Sequence, residues 1–159
     1  MYVKNRMTKQ PVCIDVNSKI SQVVDIMNEK NLHRIPVVSG KKLVGLVTES
    51  MISKNGASKA TSLSIYELNY LLSKTSVDAI MIRDVITVHE DRFLEDAALL
   101  MYKHDIGCLP VVNDENDVVG ILTSNDVMSA FLDILGYRES GSRVCVEVKD
   151  ELGTIGALS

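Results

Sequence analysis

Between residues 18 and 30 the apolar side chains fall at Ile20, Val23, Val24 and Met27, the spacing of one helical face. The same spacing returns at Leu94, Ala97, Ala98 and Met101, 74 residues further along. A short apolar run precedes each stretch, at 12–14 and 86–88. Two apolar runs rich in Val, Ile and Leu follow each, 35–38 with 43–47 and 109–112 with 118–122. Polar segments SGKK and NDEND separate the paired runs and read as hairpin turns. A further helix follows the last strand, weak over 50–54 and strong over 125–135, where Gly136 ends it. Both stretches therefore predict β-α-β-β-α, with Ser18 as the cap of the first helix.

The two units are copies in wording as well as in pattern. Met7, Met27 and Pro36-Val37-Val38 recur as Met81, Met101 and Pro110-Val111-Val112, always 74 residues later. Val44-Gly45 and Thr48 recur 75 residues later as Val119-Gly120 and Thr123, so the extra residue falls in a turn. One unit of about 55 residues is marginal by itself, whereas two packed face to face share a core. The expected fold class is α/β (α+β), with two repeats as a pseudo-two-fold pair. The expected divisions are 1–54, a linker at 55–76, 77–136 and a tail at 137–159. Ile65, Leu68, Leu71 and Leu72 give the linker a short amphipathic helix, expected to lie against the second unit.

Composition narrows the function classes. Hydrophobic residues at 46% and charged ones at 24% exclude a disordered chain, and the absence of Trp makes the core aliphatic. No apolar window reaches the 18 or so residues of a membrane span, and the first residues lack the apolar centre of a signal peptide, so a cytoplasmic address is expected. A net charge of −4 without a basic stripe argues against nucleic acid as a partner. Cys13, Cys108 and Cys145 are odd in number and widely spaced, as free thiols in a reducing compartment would be. His33, His89 and His104 match no metal-ligand spacing, and His89-Glu90-Asp91 reads as a solvated turn. Asp105, Asp114, Glu115 and Asp117 lack EF-hand spacing. With no nucleophile elbow, Walker loop or dinucleotide fingerprint, neither enzymatic activity nor a required cofactor is expected.

The candidate chemistry lies at the strand-to-helix turn GILTSND. Thr123 ends a buried strand, and Asn125 and Asp126 fall in the first turn of a helix, where free N–H groups and the helix dipole favour an anion. A Thr hydroxyl can donate to phosphate or ribose oxygens, and a carboxylate can accept from both ribose hydroxyls. The same two residue types are also good helix caps. The earlier copy, GLVTESM, keeps Thr48 but carries Met51 at the Asp position, with Glu49 nearby.

The segments KNLHRIPVV, HDIGCLPVV, GLVTESM and GILTSND, in this order and spacing, resemble a tandem pair of cystathionine-β-synthase (CBS) domains, the Bateman module, over residues 1–136. The wording of the second repeat is similar to AcuB-type acetoin-utilisation proteins. The resemblance implies a pocket built across the pair. Met7, Thr8, Val12, Cys13, Leu32 and His33 would sandwich a purine, Arg34 and His33 would approach phosphate, and Thr123, Asn125 and Asp126 would hold the ribose end. Arg34 and His33 also read as surface or structural residues. The second site would comprise Thr48, Met51, Ile86, Ile106, Gly107 and Cys108; lacking both ribose acceptor and phosphate cation, it is expected to be empty or to take something less polar.

The implied ligand is an adenosine-containing molecule, AMP, ADP, ATP or S-adenosylmethionine, and the implied assembly is a homodimer formed through helices. The rival readings are a structural dimerisation module without a working nucleotide site and, against its charge, a nucleic-acid regulator. After Gly136, the alternation of Val144, Val146 and Val148 reads as a strand followed by a turn. It resembles the opening of an ACT domain, here a truncated stub, and a stray edge strand is the other reading.

Overall fold

The structure, a computed structural model, describes residues 1–60 and 64–137. A 3-10 turn (Val3–Asn5) leads into β1 (Thr8–Lys9) and β2 (Ile14–Asp15), followed by α1 (Ile20–Lys30), β3 (Arg34–Ser39), β4 (Lys42–Thr48) and α2 (Glu49–Ala60). After α3 (Ile65–Lys74), a second 3-10 turn (Val77–Ala79) begins the repeat: β5 (Val88–His89), α4 (Leu94–His104), β6 (Cys108–Val112), β7 (Val118–Thr123) and α5 (Ser124–Ile134). The mixed α and β architecture expected from the pattern is present, with two sheets and five helices among the described residues.

Each sheet is built round one hairpin. In the first, β2 runs parallel to β3 and β3 antiparallel to β4; in the second, β5 runs parallel to β6 and β6 antiparallel to β7. Both hairpins carry the same irregularity, between Val37 and Val38 and between Val111 and Val112. The first strands are shorter than the apolar runs at 12–14 and 86–88, because only Ile14 and Val88 are buried against the next strand.

The repeats exchange their opening segments. β1 is an edge strand of the second sheet, pairing antiparallel with β7 through Thr8 and Ile121, while Leu46 of β4 bridges to Ile82. Val3, fully buried, belongs to the cluster of Val88, Leu94, Ala97, Met101, Leu109, Val111 and Leu122. Its image Val77 lies with Ile20, Val23, Met27, Ile35, Val37 and Val47. Met7 is seated over Gly120 and Met81 over Gly45, where a Cβ would collide with the methionine sulfur. Each core is therefore completed by residues from the other half, which couples two units that are each small for an independent core.

Two details differ from expectation. Ser18 is not the helix cap: Lys19 occupies that position and donates its backbone N–H to Gln22 Oε1 at 2.9 Å, while the Ser18 carbonyl accepts from Val77 N–H. The linker helix α3 packs on α1 and α2 of the first unit rather than on the second, and Leu72 joins the first core. The physical reason is the following 3-10 turn: once Val77 is inserted into the first core, the preceding helix is tethered beside α1. The strand and ACT-like stub expected in the tail lie outside the described residues.

Candidate functional site: a cavity between the repeats

In β7 and α5 the Thr123 and Asp126 side chains close on each other. Asp126 Oδ2 accepts from Thr123 N–H at 2.8 Å and from its hydroxyl at 2.7 Å, and Thr123 Oγ1 accepts from Asp126 N–H at 3.3 Å. This is a reciprocal capping box, which satisfies the helix start internally. Asn125 is exposed beside it. At the image turn, Thr48 Oγ1 accepts from Met51 N–H at 3.3 Å and lies 3.1 Å from Ser50 Oγ. Met51 supplies no carboxylate, so that box is half made and the Thr48 hydroxyl stays at the surface of a cavity.

The cavity measures about 230 Å³ and is lined by Arg34, Leu46, Thr48, Ile82, Asp84, Val85, Ile86, Asp105, Ile106, Gly107 and Cys108. Thr48, Ile86, Ile106, Gly107 and Cys108 were all expected at the second site, and the structure brings them together. Arg34, expected with Thr123 and Asp126, lines this cavity. The register explains its placement. Arg34 stands directly opposite Thr48 in the β3–β4 hairpin, so the two side chains share one face of the sheet. From there the guanidinium reaches toward Gly107, whose missing side chain leaves room: a Cβ placed there would lie 3.8 Å from an Arg34 terminal nitrogen and 3.5 Å from Ser124 Oγ. The second site therefore has the cation that its own repeat lacks.

The remaining expected residues are spread along the other flank of the pair. Thr8 is in β1, exposed, and Met7 is held over Gly120. Val12 and Cys13 are half-buried, with Cys13 Sγ 3.5 Å from the Pro11 carbonyl. Burial alone raises the Cys13 thiol pKa. Leu32 packs on the first core. His33 pairs through Nδ1 with Glu49 Oε2 at 2.7 Å, an exposed contact within its own repeat.

Cys108 links the two flanks. It sits opposite Thr123 in β6–β7 and also borders the cavity. Burial pushes its thiol up to about 11, with Arg34 acting against the shift and Asp126 adding to it.

Asp84, Asp105, Leu46, Ile82 and Val85 were not anticipated. The 74-residue shift could have found two of them: it carries Thr8, a residue of the first site, and the nearby Gln10 to Ile82 and Asp84. Among the described residues there is no group of three His, Cys, Asp or Glu side chains placed to hold a metal, and no helix is long and apolar enough to cross a membrane.

The swapped pair of β-α-β-β-α units, with a cavity at their strand-helix turns, agrees with a family comparison that matches residues 3–57 and 77–133 to the CBS domain. The chain belongs to the CBS domain family. Its two matched segments form a tandem CBS pair, supported by similar structures. A CBS domain pair in complex with 5′-methylthioadenosine and S-adenosyl-L-methionine is 32% identical, superposes with a TM-score of 0.70, and covers 84% of this chain and 98% of that one. A CBS pair protein, CBSX2, in complex with AMP is 27% identical, with a TM-score of 0.70 and the same shares, 84% and 98%. An acetoin-utilisation protein (AcuB) from Vibrio cholerae is 27% identical, with a TM-score of 0.71 over 90% of this chain and 98% of that one. The L-aspartate semialdehyde sulfurtransferase of Methanocaldococcus jannaschii is 34% identical over 130 residues, 81% of this chain and 23% of that protein. The chain thus spans about a quarter of the length of that curated relative.

Proposed function

We propose that the CBS pair is a regulatory module that binds an adenine nucleotide or adenosyl compound between its repeats and passes the resulting change of orientation to a partner or an attached domain. One observation carries the reading. The cavity joins a cation, Arg34, a hydroxyl at a helix start, Thr48, and apolar walls from Ile82, Ile86 and Ile106. Apolar walls suit a purine face, and a guanidinium with nearby helix N–H groups suits phosphate or ribose oxygens. A cavity of about 230 Å³ is below the roughly 300–1,000 Å³ of drug-sized sites, so the base would fill it and the polar end would project to the rim. Similar pairs in complex with AMP, S-adenosylmethionine and methylthioadenosine support this choice of ligand class.

Thr8, Val12, Cys13, Leu32, His33, Thr123, Asn125 and Asp126 are the second candidate constellation. Its use requires the Thr123–Asp126 box to open so that the carboxylate turns to ribose. The module does no chemistry of its own in this reading, and the kinship to AcuB-type proteins, with an ACT-like continuation, is part of the same proposal.

A structural dimerisation role is favoured by one feature. Leu99 and Tyr102 of α4 and Met128, Phe131 and Ile134 of α5 are exposed. This is the face through which a homodimer would form, with or without ligand.

Isothermal titration of AMP, ADP, ATP and S-adenosylmethionine into wild type, Arg34→Ala and Asp126→Ala separates the readings. Loss of affinity in Arg34→Ala places the ligand in the described cavity, and loss in Asp126→Ala alone places it at the other turn. No heat with any ligand leaves the dimerisation role.

A further inference from the structure

Superposing the repeats by their 74-residue shift shows that the two flanks carry different charge at equivalent positions. Where the first flank has the neutral amides Gln10 and Asn31, the cavity has Asp84 and Asp105. Asn31 and Asp105 are true structural images, each ending its helix in the left-handed region at φ 52°. His33 of the first flank is matched by Gly107, and the cavity's one lining cation, Arg34, is supplied from the first hairpin. Two carboxylates thus border a cavity with a single guanidinium among its lining residues. The amide of Asn31, in the same left-handed conformation as Asp105, shows that the helix end itself does not call for an acid there.

We propose that this cavity selects adenosyl ligands by low negative charge, with Asp84 and Asp105 as the specificity-determining residues. It takes a nucleoside, a nucleoside monophosphate or a positively charged sulfonium nucleoside and rejects nucleoside polyphosphates. The proposal rests on the adenosyl reading above and adds the discrimination within that class. Arg34 can neutralise one phosphate charge; each further phosphate oxygen meets a carboxylate at the rim. Like charges in a partly exposed cleft repel strongly enough to decide between ligands that share a base and a sugar, and salt weakens the effect.

The test uses adenosine, AMP and ATP in metal-free, low-salt buffer, so that no divalent cation masks the triphosphate. Binding is followed by isoleucine methyl NMR, because Ile82, Ile86 and Ile106 line this cavity whereas the equivalent flank uses Thr8, Val12 and Leu32. Wild type is expected to bind AMP at least about tenfold more tightly than ATP. The double variant Asp84→Gln, Asp105→Asn carries the residues of the first flank, and is expected to tighten ATP and bring the ratio within roughly threefold. A ligand-free methyl spectrum matching that of wild type outside the substituted positions shows that the exposed substitutions have left the fold intact. Equal AMP and ATP affinities in wild type, or the same ratio in the double variant, overturn the charge rule and leave the adenosyl site standing. No shift at these isoleucines with any of the three ligands overturns the adenosyl reading of this cavity and the charge rule with it.

Discussion

The two CBS repeats have the same elements in the same register, yet they differ at the positions that face the space between them. At the strand-helix turn, Thr123 has Asp126 to complete a capping box, whereas Thr48 has Met51 and does not. At the opening of the central strand, the first repeat carries the exposed Arg34 and the second the buried Cys108. Outside, α3 covers α1 and α2, while α4 and α5 leave Leu99, Phe131 and Ile134 in solvent. The difference teaches that duplication preserved the hydrophobic faces and released the polar positions. The turn that is better capped is the one whose polar groups are already used, and the less complete turn is the one beside the cavity.

The strongest way to break the comparison is at the shared core. Ile35 and Leu109 are images, both fully buried, and Ile35→Ala and Leu109→Ala should each cost about 2–5 kcal/mol in urea unfolding. Because Val3 and Val77 cross between the cores, fluorescence and circular dichroism should report one transition in both variants. Separate transitions for the two repeats would show that the exchange does not couple them.

The next effect concerns the Arg34 and Cys108 images. The Cys108 thiol is held near 11 against an ordinary value of 9.0, chiefly by burial. A raised folded pKa means that the native state retains a proton the unfolded state loses. Its contribution is complete below pH 9 and declines as the pH rises through about 11, by roughly 2–3 kcal/mol at most. Cys108→Ala should flatten this part of the stability profile; an identical decline in the variant assigns it to other groups. Arg34→Ala, which removes the opposing charge, should steepen the profile.

The smallest effect sharpens the contrast between the turns. Asp126→Ala removes the box and should cost about 1 kcal/mol, within the range of lost caps. Met51→Asp should raise stability by a similar or smaller amount by completing the other box. Thermal melts of the two single variants decide this, and stabilisation by neither residue would mean that the boxes do not contribute.

Much of the fold was legible because burial writes its period into the chain: Ile20, Val23 and Met27 mark the helix face, and the runs at 35–38 and 109–112 mark strands that are buried throughout. The Thr123–Asp126 pair was legible as a capping or binding unit, since both readings require the same residue types. The exchange of opening segments was not legible. Val3 and Val77 are single valines in short 3-10 turns, and one apolar residue has no period to say which core it enters. That Arg34 lines the cavity was not legible for a related reason. Its wording places it beside His33, but its direction is set by its cross-strand partner Thr48 and by the space above Gly107.

The sequence by itself determined the repeated unit, its helices and hairpins, and the aliphatic faces that must be buried, because these follow from local spacing and transfer from water. Only the tertiary structure decided which half completes which core, that α3 lies on the first repeat, and that Arg34 meets Asp84 and Asp105 at one cavity. Those outcomes depend on strand register and on contacts between residues far apart in the chain, and no local pattern encodes the direction in which a side chain crosses a pseudo-two-fold axis.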